Sequence, residues 1–162
     1  MNEFRGMRVV RESIQTNLAS PERVFALLCP VREADWVPGW KYRLIYSQSG
    51  VAEAGCVFVT PNLDGPETIW VVTEYDPARF RIEFVWLTPN LVAAQIRIRL
   101  EANTGGNTTA HIVYTYTGLS VEGNREVERY DEEWFRQKMQ GWEMAINHYL
   151  KTGRVIDASA WE

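Results

Sequence analysis

From residue 41 to residue 118 apolar and polar positions alternate in short runs, the period-two signature of half-buried strands. The runs are KYRLIYSQ, GCVFVT, ETIWVVTEY, RFRIEFVWL, LVAAQIRIRL and TAHIVYTYTG, separated by GVAEA, PNLDGP, DPA, TPN and NTGGN. Connections this short leave no room for parallel crossovers, so the strands are predicted to form an antiparallel meander. Ahead of them MRVVRESIQTN (residues 7–17) reads as a first strand with imperfect alternation. In LASPERVFALLC, Ser20 suits an N-cap and Pro21 the first helical position, with Val24, Leu27 and Leu28 on one face. Pro30 restarts the chain into a second short helix, PVREADW, which Pro38-Gly39 ends.

After residue 118 the period lengthens. Phe135, Met139, Trp142, Ile146 and Tyr149/Leu150 fall at i, i+4, i+7, i+11 and i+14/15, one apolar stripe along a helix. With Asn124 as N-cap, acidic residues in the early turns, Lys151 and Arg154 late and Gly153 as the stop, that helix is predicted to span residues 124–152. The fold class is therefore α+β: a seven-stranded antiparallel sheet wrapped around a long C-terminal helix, with two short helices after the first strand. The domain is expected to cover residues 1–153, leaving 154–162 as a tail.

The central hairpins assign faces. Centred on the TPN turn, Phe80 falls opposite Ile98 and Ile82 opposite Ile96, which pairs Arg79 with Arg99 and Arg81 with Arg97. A slip of one residue would bury four arginines, so the parity is strongly specified. Through the NTGGN hairpin the inner face gains Ala94, Ile112, Tyr114 and Tyr116, alongside Phe84 and Trp86. Glu74 can lie outward beside Arg81, the preferred arrangement, or turn inward with Val72 and Trp70 if the DPA turn carries a bulge. A single helix is about 10 Å across and cannot fill the concavity of so wide a sheet. Large side chains must plug the remaining space, or it stays open as a pocket.

Composition sharpens that choice. Seven tryptophans and an aromatic share of 12 % are a heavy load for 162 residues. Two of these indoles, Trp36 and Trp40, flank the turn in ADWVPGWKY, where burial is hardest. A net charge of −4 carries no basic excess that would advertise nucleic acid. No apolar run approaches the ~20 residues of a membrane span, so no integral membrane association is expected. MNEFRGMRVVRES lacks an apolar signal core, and Cys29 and Cys56 fit no metal or redox spacing; both point to a cytoplasmic protein with reduced thiols. Two histidines, His111 and His148, with no HExxH or CxxC, argue against a metal, and no cofactor is expected. TGGNT joins two strands rather than opening a helix, and no GxSxG elbow occurs.

The element order, SPERVFALL leading into EADWVPGW, WVVTEYDPARFRIEF and the stripe of the closing helix together resemble the START-like, or SRPBCC, superfamily. This is the helix-grip fold of Bet v 1-type allergens, START lipid-transfer domains, polyketide cyclases and Aha1-like domains; the resemblance covers roughly residues 7–152. It implies a cavity between the long helix and the inner sheet face that takes a hydrophobic or amphipathic small molecule, lipid- or polyketide-like. It carries no catalytic residue onto this chain. The expected lining is Phe84, Trp86, Ile96, Tyr114, Tyr116, Met139, Trp142 and Ile146, with Glu143 at the border of the stripe, Trp36 and Trp40 at one end and Lys138 on the rim. Alongside this carrier stand two other readings. One is a cyclase or dehydratase moving protons with Tyr114 or Tyr116 and Glu143; the other is an Aha1-like interaction module using the outer face. Oligomeric state stays open, a homodimer included.

Overall fold

The alternation between residues 41 and 118 becomes six strands, and the segment before it supplies a seventh, in a computed structural model that describes residues 3–160. The order is β1 (Arg8–Asn17), α1 (Pro21–Leu27), α2 (Pro30–Glu33), β2 (Arg43–Tyr46), β3 (Val57–Thr60), β4 (Thr68–Asp76), β5 (Arg81–Thr88), β6 (Val92–Ala102), β7 (Thr108–Gly118), α3 (Val121–Arg129) and α4 (Glu132–Thr152). All seven strands pair antiparallel in one sheet, β1-β7-β6-β5-β4-β3-β2. The meander runs from β2 to β7, and β1 closes beside β7.

The faces follow the alternation, but the β5–β6 register differs by two residues from the expected one. Ile82 pairs with Ile98, Phe84 with Ile96 and Arg81 with Arg99. The hairpin is centred on Asn90, whose left-handed backbone (φ 60°) makes a three-residue loop, rather than on Pro89. A two-residue shift preserves parity, so Ile82, Ile96 and Ile98 are buried while Arg79, Arg81, Arg97 and Arg99 are exposed. Acids balance that outer row: Arg97 lies 3.4 Å from Glu83 and Arg99 3.7 Å from Glu101. The Glu74 question resolves into a mixture. A bulge between Val72 and Glu74 inverts the parity of β4, so Glu74 is exposed while Val72 is buried and Trp70 packs inward on Phe58 and Phe84.

The expected helix 124–152 is two helices. Ser120, not Asn124, caps α3 by accepting from Gly123 N–H at 3.0 Å, and Asp131 caps α4 by accepting from Trp134 N–H at 2.8 Å. Two strong N-caps eleven residues apart, each with acids in the following turn, compete with continuation between them. Asn124 serves another purpose: its Oδ1 accepts from Met7 N–H at 2.7 Å and its Nδ2 donates to the Arg5 carbonyl at 3.1 Å. Gly123 allows α3 to sit against the Leu91 backbone, which a Cβ there would overlap. Arg11 Nε donates to the Tyr130 carbonyl left free at the break, at 2.9 Å. Gly153, left-handed at φ 70°, ends α4 as expected.

The core lies between the inner sheet face, α1, α2 and α4. Phe135, Met139, Ala145 and Ile146 carry the helical side of it. Beyond Gly153, Ile156 is buried in the same core and Ala158–Ala160 form a 3-10 turn, so the expected tail is partly docked; Trp161 and Glu162 lie outside the described residues. Along β1, α4 offers side chains to the outer backbone edge. Glu143 Oε2 accepts from Thr16 N–H at 3.0 Å, Asn147 Oδ1 from Leu18 N–H at 2.9 Å, and Asn147 Nδ2 donates to the Thr16 carbonyl at 2.9 Å.

Candidate ligand-binding site

At one end of the grip, the space between β4–β5 and the α3–α4 corner is open, a pocket of about 580 Å³. Cross-strand register builds its floor: Trp70 on β4 faces Trp86 on β5, their rings 6.2 Å apart. Trp86 in turn stands edge-on to Tyr116 at 6.2 Å. Thr68 and Thr88 share a hydroxyl bond of 2.8 Å below the mouth, and Asn62 Nδ2 donates to Thr68 at 2.9 Å. The β3–β4 loop forms one lip through Asn62, Asp64, Gly65 and Pro66; the β5–β6 turn forms another. Tyr130 and Glu126 close the helical side, the phenol donating to the carboxylate at 3.4 Å.

Lys138 is the cation of this pocket. It lies on α4 four residues after Trp134, so its stem crosses the flank of the apolar stripe and the half-buried amine ends among rings. Nζ stands 4.8 Å over Tyr114, 5.2 Å over Trp134 and 5.9 Å over Tyr116, and 3.4 Å from the Tyr116 hydroxyl. Ring faces favour the ammonium, yet loss of water outweighs them, and burial pulls the Lys138 pKa down to about 8. Burial pushes the Tyr114 and Tyr116 phenols upward and Tyr130 up to about 12. The Tyr114 phenol is also raised by the charge of Glu33. Glu33 is itself a buried carboxyl on α2, pushed up to about 8 by desolvation.

Among the residues expected in the lining, Trp86 and Tyr114 border the pocket, and buried Tyr116 reaches it through Lys138. Phe84, Ile96, Met139 and Ile146 are buried in the packed middle of the grip. Trp36 is fully buried at the other end, donating to the Leu27 carbonyl at 3.0 Å, with Trp142 edge-on to it at 5.0 Å. Trp40 donates to the Pro30 carbonyl at 2.8 Å and backs Trp70 at 6.4 Å, one ring behind the pocket wall. Glu143 faces the β1 edge rather than these aromatics. Lys138, expected on the rim, lines the pocket with its Nζ over the Tyr114 ring. Trp70 enters through the inward alternative for β4, whereas Glu126, Tyr130, Glu33 and the two threonines carry no site signal in the sequence. Spacing carried a signal for Lys138, four residues after Trp134; Tyr130 enters only because the helix breaks.

No protein-family model matches the chain, and no curated protein matches it. Solved structures do. Ara h 8.0201 superposes with a TM-score of 0.63 at 17% identity, over 90% of this chain and 99% of that one. Truncated norcoclaurine synthase from Thalictrum flavum gives 0.66 at 13% identity, over 94% and 98%. DynU16, a protein of the dynemicin biosynthetic locus, gives 0.59 at 18% identity over 90% of this chain, which spans only 48% of it. Seven antiparallel strands closing on a long C-terminal helix, shared with these structures over nearly its whole length, show that the chain has their fold, the helix-grip fold.

Proposed function

We propose that this protein binds a small amphipathic molecule with a flat, unsaturated, lipid- or polyketide-like body in the pocket between β4–β5 and the α3–α4 corner. The carrying observation is the pairing of broad aromatic walls, Trp70, Trp86, Tyr114 and Tyr130, with a single interior cation, Lys138. Apolar walls with a few convergent polar groups are the usual make-up of a small-molecule site. A fluorescent naphthalene sulfonate is the test probe. It should bind at about one site and quench tryptophan emission, and Trp86→Ala and Lys138→Met should each weaken it. An unquenched, non-saturating signal would sink the reading.

A second reading, proton-transfer catalysis of the cyclase or dehydratase type, is favoured by the Lys138 amine of α4 standing 4.8 Å over the Tyr114 ring and 3.4 Å from the Tyr116 hydroxyl of β7. Titratable groups pushed apart from their ordinary values are the pattern of acid–base pairs. Incubating the protein with an aromatic β-polyketone and following loss of water by mass tests it; bound but unchanged polyketone leaves the carrier reading alone.

A further inference from the structure

We propose that the pocket captures its ligand through a carbonyl group, an aldehyde or unhindered ketone, as a reversible imine on Lys138. The inference rests on the binding reading above and adds the ligand's reactive class. Its basis is placement. Among the described residues Lys138 is in no ion pair with a carboxylate, and its Nζ sits over three ring faces in the lining of an open pocket. An amine that only needed to hold a charge would be served better by a carboxylate within reach. One wrapped in aromatic walls is kept desolvated, the condition under which lysine becomes a nucleophile. Its lowered pKa, about 8, adds to this by leaving a usable share of free base near neutrality.

The step balances with groups already present. The Nζ lone pair attacks the carbonyl carbon, the C–N bond forms, and the carbonyl π pair moves to oxygen. One proton shifts from nitrogen to that oxygen to give a carbinolamine, and the second nitrogen proton passes to the hydroxyl, which leaves as water as C=N forms; the Tyr116 hydroxyl, 3.4 Å from Nζ, is placed to relay them. No oxidant or reductant is involved. The rings that shield the amine also stack on a conjugated carbonyl, which favours flat enals and aryl aldehydes over saturated ones. The titratable groups facing this locus are Tyr114 and Tyr116 from β7, Glu126 from α3, Tyr130 at the α3–α4 break and Asp64 from the β3–β4 loop, with the Glu33 carboxyl of α2 raising the Tyr114 phenol.

The chain contains its own controls, because Lys41 and Lys151 are its only other lysines and both are exposed. Intact protein is incubated with cinnamaldehyde and cyanoborohydride, which fixes an imine as a secondary amine, and each lysine is quantified by peptide mapping. Lys138 should label roughly tenfold faster than Lys41 or Lys151 at neutral pH. Its rate should level off above about pH 8, while theirs keep rising. Tyr116→Phe keeps the ring and should slow Lys138 alone. Cinnamyl alcohol, which has no carbonyl, is run in parallel by tryptophan quenching. If the alcohol binds but Lys138 labels no faster than the exposed lysines, the imine is wrong and the binding reading stands. If neither alcohol nor aldehyde engages the pocket, both fall.

Discussion

Trp36 and Lys138 show how differently two side chains on apolar surfaces can behave. The Trp36 indole is fully enclosed and its one polar atom is satisfied by Leu27, so it plugs the grip. Trp36→Ala should cost about 3–5 kcal/mol in urea unfolding, from the cavity plus a stranded carbonyl. Ile96→Ala should cost about 2–5 kcal/mol, whereas exposed Arg97, which meets Glu83 and Gln95 at the surface, should change stability by less than about 1 kcal/mol when truncated. Two desolvated groups, Glu33 and Lys138, give a pH signature. Glu33 has a folded pKa of about 8 against an ordinary 4.5, so the folded state holds the extra proton between these values and stability falls as pH rises across that window. Lys138 has a folded pKa of about 8 against 10.5, so the unfolded state holds the extra proton and stability climbs again above pH 8. Together they place a dip near pH 8. Glu33→Gln should flatten its acidic side, gaining on the order of 2–4 kcal/mol at pH 8; a wild-type profile level from pH 5 to 10 would refute both assignments.

At the scale of elements, most of the architecture was legible because burial on one face enforces a period. Alternation placed every strand, and parity survived a register misplaced by two residues because Asn90 and Pro89 are both turn residues and only the left-handed backbone at Asn90 distinguishes the centres. What could not be read is where caps compete. Asn124, Ser120 and Asp131 are all good cap chemistry, and the choice among them depends on the approach of Leu91 and on Met7, distant in sequence. Asp131→Ala should cost about 1 kcal/mol through loss of the α4 cap. Gly123→Ala should cost more, because its Cβ would meet the Leu91 carbonyl, and should also disturb the pocket wall that α3 carries. Circular dichroism with probe binding on the same samples separates the two effects.

For the whole molecule, the mismatch between one helix and a wide sheet has two solutions at once. Large side chains pack the middle and the Trp36 end; the α3–α4 corner stays open. The cavity was foreseeable from that mismatch and the aromatic supply, but its position was not. It depends on the helix break, which swings Tyr130 onto Trp134 at 4.3 Å and Tyr116 at 4.7 Å and so makes a wall from residues outside the apolar stripe. A ligand at a hundred times its Kd should raise unfolding free energy by about 2.7 kcal/mol. Trp142→Ala should leave that increment intact while lowering the baseline, since Trp142 packs against Trp36 rather than lining the pocket.

The contacts of Glu143 and Asn147 with the backbone of β1 bear on how such a sheet coexists with copies of itself. An open sheet has two rims of unpaired amides and carbonyls, each a template for a strand from another molecule. Here the α4 side chains stand in for a missing neighbour at Thr16 and Leu18, occupying the hydrogen-bonding groups an incoming strand would need. The opposite rim, β2, has only four residues and is irregular between Leu44 and Tyr46, too short and uneven to nucleate a ladder. Glu143, whose carboxylate accepts from the Thr16 N–H, is therefore expected to hinder strand pairing at this rim. Removing it together with the Asn147 amide should reveal itself as concentration-dependent association in sedimentation velocity, well before the fold itself gives way.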